Sequence, residues 1–291
     1  MSNQVLGMHE SRVEAFYSSG LKGKRYAHNL DEQPEGGFLS FGYWENRSDS
    51  YLDAANNLLS YFINNSGVEH PDKLLNVACG YGTETFAYYD AFKPNSIQGL
   101  DVTEIHVDCA NRTAERKHLS DRIKFSHGDA CILDFPENSF SHVMSIEGPS
   151  HFNTREKFFR AAHRVLEKGG ELLLTDIILG EKFKRDTKGP KIIPKIIGKS
   201  WVFPRANWIY QKEYKNLLKD AGLDLVFFKG IGNHVFPGYA RDSLKFRTMK
   251  TRTMHRGLFP GIGLAFISYM LGWLYKRDLI DYIYVKARKA V

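Results

Sequence analysis

The 291-residue chain is 43% hydrophobic and 13% aromatic, enough to fill a large core, which excludes a disordered or fibrous protein. A formal charge of +7 and a pI near 9.1 suit an anionic partner or simply a solvated basic surface, and neither names a function. Cys79, Cys109 and Cys131 have neither paired nor Cys-x-x-Cys spacing, so the expectation is reduced thiols, no disulfide framework, no zinc site and a cytoplasmic setting.

In chain order, the opening MSNQVLGMHESRVEAFY carries acidic and polar groups where an export signal needs a basic start and an apolar run, so export is not expected. The stretch PEGGFLSFGYWEN (34–46) is aromatic and glycine-rich. It reads either as a lid in which Tyr43 and Trp44, joined by Tyr17, fold over a ligand, or as ordinary aromatic packing. Short β-like runs then alternate with segments of helical length: LLNVA at Leu74, SIQGLD at Ser96, IKFSHG at Ile123 and HVMSI at His142. That alternation predicts a parallel sheet with crossover helices. In TREKFFRAAHRVLEKGGELLLTDI, Phe158, Phe159, Ala162, Val165 and Leu166 recur at helical spacing; Gly169 and Gly170 are expected to stop the helix before a buried strand. QKEYKNLLKDAGLDLVFFKG repeats the device, and DYIYVKARK from Asp281 supplies a seventh strand.

Three signals sit at the carboxyl ends of successive strands. Gly80 and Gly82, in KLLNVACGYGTET, let the chain turn tightly and bring backbone N–H groups to a nucleotide-like ligand, although Thr85 stands where a dinucleotide fingerprint wants a third glycine. Asp101, nineteen residues beyond Gly82, can accept hydrogen bonds from a ribose hydroxyl pair. Asp129, in HGDA, is placed to meet an adenine edge. Each acid also has a plain reading as a helix cap or turn residue. After the fourth strand, SIEGPSHF carries Glu147 and His151 around Gly148 and Pro149, which preclude a regular helix and suggest a tight loop presenting both side chains to a cleft.

With NVACGYG, GLD, GDA, FSHVMSIEGPSHF and VLEKGGELLLTDI in order, the chain resembles the class I S-adenosylmethionine-dependent methyltransferases, strongly over 73–176. Within them it looks most like the small-molecule branch of tocopherol, sterol and terpenoid C-methyltransferases and natural-product O-methyltransferases. The resemblance implies a seven-stranded Rossmann-like doubly wound α/β sheet with the last strand antiparallel, an N-terminal helical lid and a substrate cap between the last two strands. The implied division is lid 1–70, core 71–230, insertion 231–278 and final strand 279–291. It implies S-adenosylmethionine as methyl donor, S-adenosylhomocysteine as product, and a donor site at Tyr43, Ala78, Cys79, Gly80, Gly82, Asp101, Val102, Asp129, Ala130 and Ile146. Asn76 departs from the Asp or Glu usual at its position. Cys79 is otherwise an inert buried thiol.

Methyl transfer needs in-line alignment, exclusion of water and removal of a proton from the acceptor, and Glu147 or His151 is the expected base. Substrate walls are expected from Tyr17 and Trp44 and, in SWVFPRANWIY (200–210), from Trp201 and Trp208. The uncharged 257–275, GLFPGIGLAFISYMLGWLY, approaches the ~20 residues of a membrane span. Its glycines, Pro260 and a mean hydropathy of -0.38 argue against a span and for a lipophilic cap or a patch dipping into lipid, with an oligomer interface as the competing reading. Both imply a small lipophilic acceptor. An RNA methyltransferase lacks support because no NPPY-like motif follows the fourth strand, so no nucleic acid partner is expected; a non-methylating nucleotide-binding protein is opposed by Thr85 and the Glu147/His151 loop. No clustered ligand set argues for a metal.

Overall fold

The computed structural model describes residues 6–18, 37–184 and 202–291. Its frame is a seven-stranded sheet in the order β3-β2-β1-β4-β5-β7-β6. The strands are β1 (Lys73–Val77), β2 (Ser96–Asp101), β3 (Ile123–His127), β4 (Phe140–Ile146), β5 (Leu166–Leu179), β6 (Leu223–Gly230) and β7 (Ile280–Lys289). β1 to β5 pair in parallel, and β7 runs antiparallel between β5 and β6. The seven strand-like runs and the reversed last strand are therefore present as expected.

Helices cover both faces. α1 (Met8–Ser18) and α2 (Tyr51–Asn64) precede the sheet, α3 (Thr83–Phe92) and α4 (Glu104–Arg116) follow β1 and β2, and α5 (Arg155–Val165) and α6 (Gln211–Asp220) follow β4 and β5. α2 starts at a capping box in which Ser50 and Asp53 satisfy each other's backbone N–H. α5 buries Phe158, Phe159, Ala162 and Val165 on one stripe against the sheet. It ends at Val165, four residues before Gly169, because the backbone of Leu166 is already extended and opens β5. Gly169 (φ +75°) instead sits inside the strand.

Between β6 and β7 lies a helical insertion: α7 (Gly232–Ser243), α8 (Phe246–Arg256) and α9 (Leu258–Lys276). The glycines and proline of 257–275 do not interrupt α9, which is one continuous helix. Pro260 falls in its first turn, where the missing N–H costs nothing. Gly272 permits close approach to α7, since a Cβ there would stand 2.5 Å from that of Ala240. Arg252, buried, donates to Ser268 Oγ (3.1 Å) and Tyr239 Oη (3.3 Å), tying α8 to α9 and α7. No helix among the described residues is long and apolar enough to cross a membrane.

Candidate active site

The carboxyl ends of β1, β2 and β4, the loop after β3, α1, 37–41 and Phe203 enclose a cavity of about 1030 Å³ counted out to its open mouth. Each strand supplies one working group as it ends, the usual location of a ligand in an open parallel sheet.

At the end of β1 the chain enters Ala78 with φ +58°, then Gly80 at +51° and Gly82 at +83°, and Gly82 opens α3. Ala78, Cys79 and Gly80 line the cavity, but Gly82 does not. A Cβ at Gly82 would lie 2.7 Å from the Phe125 ring, so this glycine sets the packing of α3 on β3 rather than touching a ligand. Cys79 is buried, and burial raises its thiol well above the usual range, as suits an inert wall group. Asn76 is turned away: its amide donates to Thr85 Oγ1 at 2.8 Å.

Asp101 ends β2. Its carboxylate accepts the N–H groups of Gly80 and Thr103, both at 2.8 Å, and lies 3.6 Å from His106 Nδ1. Burial pushes this carboxyl up, but His106 and the two N–H groups outweigh it and hold it below its ordinary value. Val102, Asp129 and Ala130 complete this wall, with Asp129 Oδ1 closing a turn on Cys131 N–H at 2.8 Å. Two buried hydroxyls on the cavity wall, Ser40 Oγ and Thr103 Oγ1, make no hydrogen bond. Buried hydroxyls are rarely left so unless a ligand completes them.

Ile146 and Glu147 form the β4 corner, with Glu147 also in the left-handed region (φ +61°). Glu147 Oε1 accepts the N–H of Phe41 and the O–H of Tyr282, both at 2.8 Å. Burial drives its carboxyl up to about 8 against those two donors, so it is a neutral acid at pH 7. His151 follows a single tight 3-10 turn at Gly148–Ser150. Its Nε2 is 2.9 Å from Tyr17 Oη, its carbonyl accepts from His9 Nε2 at 2.8 Å, and its ring meets Phe203 edge-on. Burial, helped by His9, lowers it to about 3, so the ring is neutral at every working pH. A buried network fixes the turn: Asn207 Nδ2 donates to the carbonyls of Pro149, Ser150 and Phe152, while Arg155 bonds Asp176, Ile177 and the Asn207 carbonyl.

The aromatic lid divides. Tyr17, on α1, lies over His151 in the cavity wall. Tyr43 and Trp44 do not line the cavity: Tyr43 stacks between Tyr61 (4.7 Å) and His234 (4.4 Å), and Trp44 lies flat on Gly238 with its N–H on the Phe41 carbonyl. They join the insertion to α2, because Gly42 (φ +78°) turns this segment into the core. Trp208 also misses the wall and packs behind Phe203. Trp201 lies outside the described residues. Among the described residues, none of α7, α8 or α9 lines the cavity.

Several wall residues escaped the sequence reading. Glu84, in the first turn of α3, lines the cavity, and burial raises its carboxyl to about 7. Its signal was its place two residues beyond Gly82, in the turn that faces a ligand. Leu39, Ser40 and Phe41 carried no signal beyond composition. Among the described residues, the wall carries five carboxyl groups (Glu10, Glu84, Asp101, Asp129 and Glu147) and no lysine or arginine. No group of three His, Cys, Asp or Glu side chains among the described residues is placed to hold a metal.

Known proteins are similar to this chain in sequence and in fold. A methyltransferase-domain model matches residues 74–170. The erythromycin 3''-O-methyltransferase of Saccharopolyspora erythraea is 31% identical over 227 residues, covering 77% of this chain and 74% of that protein. The chain belongs to the class I S-adenosylmethionine-dependent methyltransferases. A sterol 24-C-methyltransferase of Gibberella zeae is 36% identical over 122 residues, 40% of this chain and 32% of that protein. Among solved structures, the cyclopropane synthase MmaA2 of Mycobacterium tuberculosis superposes with a TM-score of 0.79 at 15% identity, over 98% of this chain and 100% of that one, a likeness of fold. The methyltransferase thus uses S-adenosylmethionine, and the cavity fits it: a carboxylate ends β2, a glycine turn opens α3, and orphaned hydroxyls face the space between.

Proposed function

We propose that this methyltransferase methylates a hydroxyl of a small, lipophilic acceptor that carries no phosphate, with His151 as the base. The observation that carries this reading is the place of the His151 ring in the cavity wall, its Nε2 2.9 Å from the Oη of Tyr17, which also lines the cavity. S-adenosylmethionine supplies an electrophilic methyl group on a sulfonium. The chain has then only to bind, align and take a proton. Asp101 would hold the ribose hydroxyls, and Val102, Asp129 and Ala130 the adenine. Ala78, Cys79 and Gly80 would face the methionine end. Asn76 is committed to Thr85, so Glu84 would take over as the carboxylate facing the ammonium group. Tyr17 would steer the acceptor hydroxyl toward His151, and α1 and Phe203 would keep water out.

The acceptor's character follows from the walls. Among the described residues the wall presents the carboxyl groups of Glu10, Asp101 and Asp129 and no lysine or arginine, which disfavours a diphosphate or a nucleic acid backbone, and Val13, Phe152 and Phe203 favour an apolar body. The O-methyltransferase relative spans most of the chain, which supports oxygen. A second reading, methyl transfer to carbon with Glu147 receiving the proton, is favoured by the tight Tyr282–Glu147 contact and by the sterol relative's match to the core. We further propose that 1–70, 71–230 and 279–291 act as lid, core and closing strand, with 231–278 as a separate surface element.

A pH-rate profile with labelled donor and a panel of hydroxylated macrolides, terpenoids and sterols decides between the bases. With His151 as base, the rate is flat from pH 5 to 7 and His151→Ala lowers kcat about 10³-fold. A rate that climbs toward pH 8 and vanishes in Glu147→Gln while surviving in His151→Ala overturns the assignment and moves the chemistry to carbon.

A further inference from the structure

α9 shows two faces with no common purpose. Its inner face, with Leu264, Ala265, Ser268, Leu271 and Leu274, is buried against α7 and α8. The other face carries Phe259, Ile262, Phe266 and Tyr269, spaced three, four and three apart, which places them in one stripe. Phe259 is 84% exposed and Phe266 61%, and on the neighbouring α8 Phe246 is 83% exposed. Single exposed apolar residues are ordinary, but a row of large apolar side chains along one stripe of a helix is a surface built for contact.

The charge around the row identifies the contact. From Ser243 to Arg277 the chain has Lys245, Arg247, Lys250, Arg252, Arg256, Lys276 and Arg277 and not one Asp or Glu. Arg247, Lys250, Lys276 and Arg277 are exposed, Arg277 lying over the Trp273 ring at 3.9 Å, while Lys245 is engaged by Asp242 at 2.9 Å. A two-fold pairing of this face with a second copy would bring like charges together. A nucleic acid would answer the cations but leave the phenyl rings in water. An anionic lipid surface answers both, because rings enter the acyl boundary while the cations stay among headgroups.

We propose that α8 and α9 dock the enzyme on an anionic lipid surface, with Phe259 and Phe266 inserted and Arg247, Lys250, Lys276 and Arg277 on the headgroups. The helices lie on the membrane and do not cross it. Since none of their described residues lines the cavity, docking is independent of the donor site and of the acceptor assignment.

Co-sedimentation with vesicles of phosphatidylglycerol and phosphatidylcholine, and of phosphatidylcholine alone, is the test. The full-length enzyme is expected in the pellet with the anionic vesicles only. Phe259→Ser/Phe266→Ser should lose at least tenfold of that partitioning, and Arg247→Glu/Lys250→Glu more, at about fivefold for each cation removed. Titration with S-adenosylhomocysteine should be unchanged in both variants and serves as the control for folding. Absence of the wild type from the anionic pellet overturns the proposal, as does equal binding by the variants. A wild-type dimer in light scattering that the Phe259→Ser/Phe266→Ser variant splits into monomers assigns the face to a second copy instead. Binding of RNA that competes with the vesicles overturns the lipid assignment in favour of a polyanion.

Discussion

Glu147, half-buried just past the end of β4, and Glu171, buried near the start of the neighbouring β5, lie toward opposite ends of the sheet, and they have been treated in opposite ways. Glu171, in β5, faces Lys286 (2.8 Å), Arg288 (2.6 Å) and His142 (3.5 Å). Burial raises its carboxyl, but these three partners overwhelm that and bring it down to about 2. Glu147, at the end of β4, meets only a backbone N–H and a phenol, and burial leaves it near 8. The far end of the sheet has paired its charges and holds the fold. The cavity end gives Asp101 only His106 and two N–H groups and keeps Glu147 without a cation among the described residues, with Ala78 and Glu147 in left-handed backbone, as suits a site that a ligand completes.

If that division is right, substitutions at the two ends should separate stability from activity. Glu171→Ala strands two cations around a buried position and should cost about 3 kcal/mol, read as a shift of the urea midpoint, while donor affinity of the folded fraction stays normal. A normal midpoint would break the comparison. The wild type should also lose this contribution as pH falls from about 4.5 toward 2, since Glu171 binds a proton more readily unfolded than folded. At the cavity end, Asp101→Ala should weaken S-adenosylhomocysteine about 100-fold, or ~2.7 kcal/mol, by calorimetry. Glu84→Gln should weaken it about tenfold, the order of one charge-assisted hydrogen bond. Product binding indifferent to Asp101 would undercut the donor assignment itself.

The smallest effect carries the opposite sign. Glu147 takes up protons on folding, so its contribution is complete below about pH 4.5 and declines as pH rises through 8. Glu147→Gln should therefore raise Tm by about 3 °C at pH 8 and leave it unchanged at pH 4. A lower Tm at pH 8 would mean that this carboxylate is as well paired as Glu171.

What the sequence revealed follows the range of the physics behind it. Strand runs and the glycine turn are local, and β1 to β7 stand where alternation and breakers place them. Gly80, Asp101, Asp129, Glu147 and His151 were legible as candidates because strand ends converge in an open parallel sheet, Ala78, Cys79, Val102, Ala130 and Ile146 through the family resemblance, and Tyr17 as an aromatic lid residue; all of them reach the cavity. Tyr43, Trp44 and Trp208 were misread because aromatic composition does not say which way a side chain turns; that depends on Gly42, Gly238 and Phe203. Asn207, whose one amide serves three carbonyls, carries no local sign at all.

The acidic wall also bears on turnover. S-adenosylmethionine enters with a net positive charge, and methyl transfer removes it, leaving a neutral product among Glu84, Asp101 and Asp129. The reaction thereby removes one of the positive charges that these carboxyl groups attract.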